Sequence, residues 1–512
     1  MKFSYSPYDP ITATATLGAI ALIFFVIRTH FKRFNRSSKE KRHVVAGTIL
    51  HQLFNFHRMH DYMTDLARKH KTYRLLNFPM CEVYTADPAI VEYILKTNFA
   101  NYGKGWYHYG ILTDLLGDGI FTVDGEKWQH QRKVSSYEIA TKTVKDFSLQ
   151  VFKSNAAKLA RVVSKATISN ETLDFKELFM KSTLDSVFKV ILGVDLDTIS
   201  GTNKEGTKFS NAFDEASAIT LYRYVDIFWR IKRFLNIGTE AALRNHIKVV
   251  DEFVYKIIKS KIEQVQNLPH NLPMRREDMV SRFMASKETD PSYLRDIILN
   301  FMIAGRDTTA ATLSWLFYML CKHPDIQEKI AHEVQAVTKL NNICNIDELA
   351  DRLTDGALEK MHYLHAALAE TLRLYPAVPV DSKLCLSGET LPDGFSIRRG
   401  DTIAYQPYAM GRMKFIWGDD AEEFKPERWI DESGTFQQES SFKFTAFQAG
   451  PRICLGKDFA YRQMKVFTAV LSYSYKLKLA VQNESVNYKT MLTLHIDGGL
   501  HLHASQRFGP MY

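Results

Sequence analysis

The chain has 512 residues, of which 46% are apolar, 12% aromatic and 24% charged, with a formal net charge of +9. That balance excludes a disordered or collagen-like chain and leaves ample material for a large core. Seven basic residues and one acid fall between Arg28 and Arg42; outside that segment the charges nearly cancel, so nothing asks for nucleic acid. Cysteines at 81, 321, 344, 385 and 454 are odd in number and form no C-x-x-C, which argues against a disulfide framework or zinc ribbon and suits a reducing compartment.

In chain order, Ile11 to Ile27 (ITATATLGAIALIFFVI) is a run of 17 residues without a charge, with the basic segment directly behind it. At about 1.5 Å per residue it just reaches the thickness of a hydrocarbon core. The basic flank predicts a retained single-pass anchor with the remainder in the cytosol. A cleaved signal peptide is the competing reading, weakened because Lys2 is the sole basic residue ahead of the run. We therefore expect a membrane anchor and basic linker over 1–44 and one catalytic domain over 45–512.

Met59 to Lys69 has a helical pattern, R-L-L-N-F and E-V-Y-T-A read as strands about a turn at Pro79, and A-D-P-A-I-V-E-Y-I-L opens another helix. Long helical patterns dominate from about Glu126 to Tyr375. From Pro376 to Ala404 short apolar runs are broken by Pro379, Gly388, Pro392, Gly394 and Gly400, which is strand-and-turn chemistry. A loop through Lys443, one more helix and a terminal hairpin complete the chain. The expected fold is mainly α with small β-sheets, an α+β pattern that does not alternate strand and helix. There is no Walker loop and no G-x-G-x-x-G after a strand, and His332-Glu333 lacks the second histidine of a zinc protease.

The stretch F-Q-A-G-P-R-I-C-L-G, Phe447 to Gly456, precedes an amphipathic run in which Ala460, Met464, Phe467 and Leu471 recur at helical spacing. Cys454 is thus expected at or just before a helix N-terminus, where free N–H groups and the dipole favour thiolate. Gly450 and Gly456 allow a tight turn and the close approach of a flat ligand. Arg452 offers a guanidinium fork suited to a carboxylate. A thiolate, room for a plane and a carboxylate clamp together describe haem held through sulfur.

This stretch resembles the haem-binding signature F-x-x-G-x-R-x-C-x-G of the cytochrome P450 superfamily at every fixed position. Four further motifs stand in that family's order: W-Q-H-Q-R (Trp128 to Arg132), A-G-R-D-T-T (Ala304 to Thr309), E-T-L-R (Glu370 to Arg373) and P-E-R (ending at Arg428). The resemblance implies haem b ligated by Cys454, with Phe447, Gly450 and Gly456 shaping the loop and Arg452, Trp128 and Arg132 at the propionates. It implies a buried structural network of Glu370, Arg373 and Arg428. On the distal helix Phe301, Gly305, Thr308 and Thr312 follow a helical spacing; Gly305 leaves room for bound oxygen, while Asp307 and Thr308 relay protons. One departure is visible: R-H-V-V-A-G stands where membrane-bound members usually carry a proline-rich hinge.

Sulfur donation favours O–O cleavage, and the expected outcome is one oxygen atom inserted into a C–H bond. With no flavin or nicotinamide motif present, the family implies a separate NADPH-dependent flavoprotein reductase at the endoplasmic reticulum membrane. Lys127, Lys133, Lys443, Lys457, Arg462 and Lys465 are candidates for its docking patch. F-A-N-Y-G-K-G, L-L-G-D-G-I-F and A-Y-R-Q-M-K resemble the plant fatty-acid ω-hydroxylases, including the pollen-wall long-chain hydroxylases. Candidate substrate contacts are Ile111, Leu112, Phe121, Phe301, Met302, Ala304, Val378, Leu492 and Thr493. Phe228, Trp229, Phe234 and Leu235 are candidates for an apolar surface dipping into the bilayer. Another lipophile (an alkane, sterol or terpenoid), or a haem-thiolate isomerase or dehydratase of lipid hydroperoxides, stays open on the residues alone.

Overall fold

Strands form where β-branched and aromatic residues cluster between turn signals. The computed structural model describes residues 44–77, 81–201, 203–266, 278–285, 290–340, 345–481 and 486–508. The expected anchor, its basic linker and the turn at Pro79 lie outside them. Among the described residues no helix is long and apolar enough to cross a membrane.

The larger sheet contains β1 (Val45–Thr48), β2 (Thr72–Leu76), β3 (Cys81–Thr85), β4 (Tyr102–Gly103), β6 (Asp381–Cys385) and β7 (Thr402–Tyr405), in the order β1-β2-β3-β7-β6-β4. The β2–β3 hairpin pairs Thr72 with Thr85 and Leu76 with Cys81, within two residues of the expected strands. Strand β6 runs antiparallel to β7 and sets Asp381 opposite Tyr405. A second sheet joins β5 (Leu173–Asp174), β8 (Tyr475–Leu479) and β9 (His501–Gln506) in the order β8-β9-β5; β8 and β9 form the expected terminal hairpin.

Helices carry most of the chain: α1 (Ile49–Phe54), α2 (Met59–Lys69), α3 (Gly105–Leu116), α4 (Gly125–Ala140), α5 (Lys142–Ser169), α6 (Phe175–Leu192), α7 (Lys204–Tyr222), α8 (Trp229–Leu235), α9 (Gly238–Gln266), α10 (Pro291–Met302), α11 (Thr308–Lys322), α12 (Pro324–Thr338), α13 (His362–Leu374) and α14 (Lys457–Ser474). Local chemistry sets their ends. Asp174 accepts from the Lys176 and Glu177 amides to start α6, which stops at Gly193 with φ +68°. Asp290 caps α10 ahead of Pro291. In the main core α5 packs against α6 and α14, and α11 against α6 and α13. Trp315 of α11 is almost wholly buried, stacks on Tyr375 at 4.1 Å and donates to the Leu494 carbonyl at 2.8 Å.

Between α10 and α11 the backbone is not a regular α-helix. Ile303 to Asp307 form one π turn. The inserted residue rotates everything before it by about 100° relative to the residues after it. Phe301 is thereby turned towards Phe283, and Met302 is buried in the core.

The buried network sits below this helix. Glu370 and Arg373 form a bidentate pair at 2.7 and 2.8 Å, both fully buried. Arg373 donates onward to the carbonyls of Gly411, Ala421 and Glu423. The same carboxylate accepts from the Lys425 amide and the Trp429 indole, both at 2.9 Å, and Arg428 Nε stands 3.5 Å away. Truncating Glu370 to Ala leaves Arg373 charged and without its buried counter-ion. The expected loss is about 3–5 kcal/mol, read as a lower thermal midpoint and a reduced yield of folded protein.

Candidate active site

A single 3-10 turn, Gly450–Arg452, leads into Cys454. The Cys454 amide donates to the Phe447 carbonyl at 2.8 Å, closing the loop on itself, and the Phe447 ring rests 5.1 Å from Tyr461 of α14. Gly450 has φ +63°, and a Cβ there would collide with the Leu95 carbonyl oxygen, so only glycine fits. Gly456 is the N-cap of α14, and a Cβ on it would lie 3.9 Å from Cys454 Sγ. Cys454 is exposed, whereas Cys81 and Cys385 are buried and Cys321 half-buried. Protein atoms packed around the sulfur push the thiol up although one face of the residue stays open, and the Gly456 amide, Arg132 and Lys457 pull it down. Binding of a metal ion to the sulfur would draw off its proton.

Beside this loop lies a cluster of cations with too few anions. Arg452 Nη2 meets Asp124 Oδ1 at 2.5 Å, and its guanidinium lies 4.3 Å from the Trp128 ring. Arg132, also against Trp128 at 5.8 Å, donates to the Ile453 carbonyl at 2.8 Å. Lys104 reaches Asp381 Oδ1 at 3.0 Å, and Lys383 holds the other oxygen of that carboxylate. Gln448 donates to Asp381 at 2.9 Å and accepts from Tyr405. Formally Lys104, Lys383, Arg132 and Arg452 bring four positive charges against the two of Asp124 and Asp381. Burial pulls both arginines down and brings Lys383 to about 7. Arg452 Nε is buried without a partner. A dianion is what this cluster lacks, and the two propionates of haem supply one; the donor set and the lone sulfur fit that group together. Lys104, Asp381 and Gln448 carried no sequence signal, because the sheet register that assembles them is a long-range property.

A cavity of about 280 Å³ opens at the site; Lys104, Asp381 and Gln448 of the cation cluster line it, and so do seven residues from elsewhere in the chain, Ala304, Thr308, Leu112, Phe121, Val378, Leu492 and Thr493. Six of these seven were expected as substrate contacts and Thr308 as a catalytic group. Ile111, Phe301 and Met302 are not on its wall. Ile111 is fully buried in the core and gives its carbonyl to Arg223, while the π turn rotates the other two away. Gly305 also differs from expectation. A Cβ there would stand 2.8 Å from Val187 Cγ2, so this glycine serves close packing on α6.

Thr308 Oγ1 donates to the Ala304 carbonyl at 2.5 Å. Asp307 is 2% exposed and turned from the cavity wall, 2.9 Å from Arg306. Arg306, itself 1% exposed, also binds Asp214 and Ser210 of α7. Burial pushes the Asp307 carboxyl up to about 7; Arg306 pulls the other way and Asp214 adds to the rise. Arg306 and Asp214 gave no signal in the sequence, since neither lies on the face that carries the reaction motif.

Fold, cysteine loop and cation cluster define a haem-thiolate protein. The cytochrome P450 family model matches residues 38–502. The chain is 49% identical over 515 residues to cytochrome P450 704C1 of Pinus taeda, covering 97% of this chain and 98% of that protein. It is 44% identical over 496 residues to cytochrome P450 704B1 of Arabidopsis thaliana, with 90% and 94% covered. With cytochrome P450 94A2 of Vicia sativa the identity is 36% over 479 residues, 91% of each. The chain belongs to the cytochrome P450 family of haem-thiolate monooxygenases.

Two outcomes are expected. Because Asp307 binds its proton more tightly when folded, its contribution to stability is full below the ordinary carboxylate range and is lost as pH rises to about 7. Asp307→Asn should flatten that slope in thermal unfolding between pH 4 and 7. Cys454→Ala should remove the thiolate-type carbon monoxide spectrum of the haem protein.

Proposed function

We propose that this chain inserts one oxygen atom from dioxygen into a long-chain fatty acid, at its terminal carbon, using electrons from an NADPH-dependent flavoprotein reductase. The observation carrying this reading is the cavity. Its walls are apolar at Leu112, Leu116, Phe121, Ile303, Val378 and Leu492, and it extends to Phe56 and Met59 near α1 and α2. Lys104, Asp381 and Gln448 of the cation cluster line the same cavity, so part of it is the cofactor's own space, and the apolar remainder suits an alkyl chain.

Haem bound by Cys454 supplies dioxygen activation. Arg452, Arg132, Trp128 and Lys104 would hold its carboxylates. Thr308 presents a hydroxyl at the reacting end, and Asp307, protonated in part near neutrality, is the reserve from which that hydroxyl is resupplied. The Gly450 turn, held against the Leu95 carbonyl, fixes where the loop presents the Cys454 sulfur.

Access from a lipid phase is supported by the surface. Phe228, Ile231, Phe234 and Leu235 are exposed, Phe234 by 88%, and so is Phe54, by 78%. The Phe56 ring meets Tyr222 at 6.0 Å and links the two patches. Trp229 does not join them; it is buried under the Arg223 guanidinium at 4.7 Å. We assign the face to a bilayer, that of the endoplasmic reticulum, with the catalytic domain cytosolic. The reductase patch is narrower than expected. Lys465 is buried and binds the Leu358 carbonyl, while Lys127, Lys443 and Arg462 pair with Asp118, Glu439 and Asp355. Lys133 remains exposed and Lys457 half-exposed.

Reconstituted with reductase and NADPH, the enzyme should convert hexadecanoic acid to its ω-hydroxy acid, seen by mass spectrometry. Conversion dependent on hydroperoxide instead would overturn the reading. Thr308→Ala should retain haem but divert most NADPH consumption to hydrogen peroxide.

A further inference from the structure

A second, smaller cavity of about 40 Å³ adjoins the main one. The two share Gln52, Met59, His60, Tyr84, Pro379 and Val380 on their walls, whereas Ala304, Thr308, Phe121 and Leu492 belong to the main cavity alone. Neither Ala304 nor Thr308, the groups at the reacting end, is on the annex wall. It has room for an oxygen or two, not for a length of alkyl chain.

Its wall is polar in a specific sense. His60 is 5% and Gln406 3% exposed, and both line the annex. His60 Nε2 and Gln406 Oε1 are buried with no hydrogen-bond partner. Leaving such atoms unmatched costs about 1–3 kcal/mol each, so they mark a place for a ligand or water. The orientation of the Gln406 amide is set by its neighbours. Tyr73 gives its hydroxyl proton to the Met63 carbonyl at 3.2 Å and so accepts from Gln406 Nε2 at 2.8 Å. The atom left over is then the carbonyl oxygen, an acceptor that requires a donor. Burial brings His60 down to about 3, so its ring is neutral. Glu82 is nearby on the main cavity wall, its carboxylate already taken by Asn77 and Tyr84.

We propose that the annex binds the polar end of the lipid substrate as an uncharged O–H donor, a fatty alcohol or an un-ionised carboxylic acid, with its proton on Gln406 Oε1 and its oxygen facing His60 Nε2. This rests on the long-chain reading above and adds what the far end of the chain must be. A carboxylate anion has no proton for Gln406 Oε1 and is the poorer occupant, so a fatty acid enters the annex in its protonated form.

The test uses the ferric holoenzyme in detergent and the substrate-induced shift of its Soret band. The probes are hexadecan-1-ol, 1-methoxyhexadecane and hexadecanoic acid at pH 8. The alcohol should bind about tenfold more tightly than the methoxy compound, and more tightly than the acid at pH 8. Gln406→Met should abolish that preference by weakening the alcohol alone, with the carbon monoxide spectrum unchanged. His60→Phe, which leaves the Tyr73–Gln406 bond in place, should do the same. Equal binding of alcohol and methoxy compound by the native enzyme, or an undiminished preference in both variants, overturns the proposal and leaves the annex as a site for water. A Soret band that none of the three probes moves overturns the long-chain reading and the annex with it.

Discussion

One buried carboxylate carries the proximal half of this molecule. Glu370 has no contact with water, yet it gathers a guanidinium from its own helix, a backbone amide, an indole and a second arginine. Charge in a low-dielectric interior is tolerated only when fully matched, so each of these groups has one place to be. Arg373 then fastens three carbonyls of the loop that precedes the P-E-R turn. The cysteine loop comes next in sequence, closed by its own amide and butted against Leu95 at Gly450. The loop is further seated on α14 through the Phe447–Tyr461 contact and the Gly456 cap, and these contacts together position the sulfur.

The cation cluster is built on the opposite principle. Here the polypeptide gathers more positive charge than it neutralises, and an arginine nitrogen stays buried and unmatched. An interior of this kind is unfavourable in the empty protein and becomes favourable with a dianionic ligand in place, so cofactor affinity and folding are linked.

The motifs were legible because they are local. E-x-x-R and P-E-R meet in one buried network as expected, and α2 runs over the expected Met59–Lys69. What failed depended on helical phase. Phe301, Gly305 and Thr308 share a face in a regular helix, but the π turn at Ile303–Asp307 breaks the count. Thr308 reaches the cavity, Phe301 does not, and Gly305 meets Val187. Lys104, Asp381 and Gln448 come together only through the pairing of β6 with β7 and the fold of the cysteine loop, which no single window of sequence contains.

Arg306 is attached twice. One guanidinium spans α7, through Asp214 and Ser210, and the carboxylate of Asp307. The charge on Asp214 adds to the rise of the Asp307 carboxyl, so an alteration on α7 is felt as a change in acidity one residue away from Thr308.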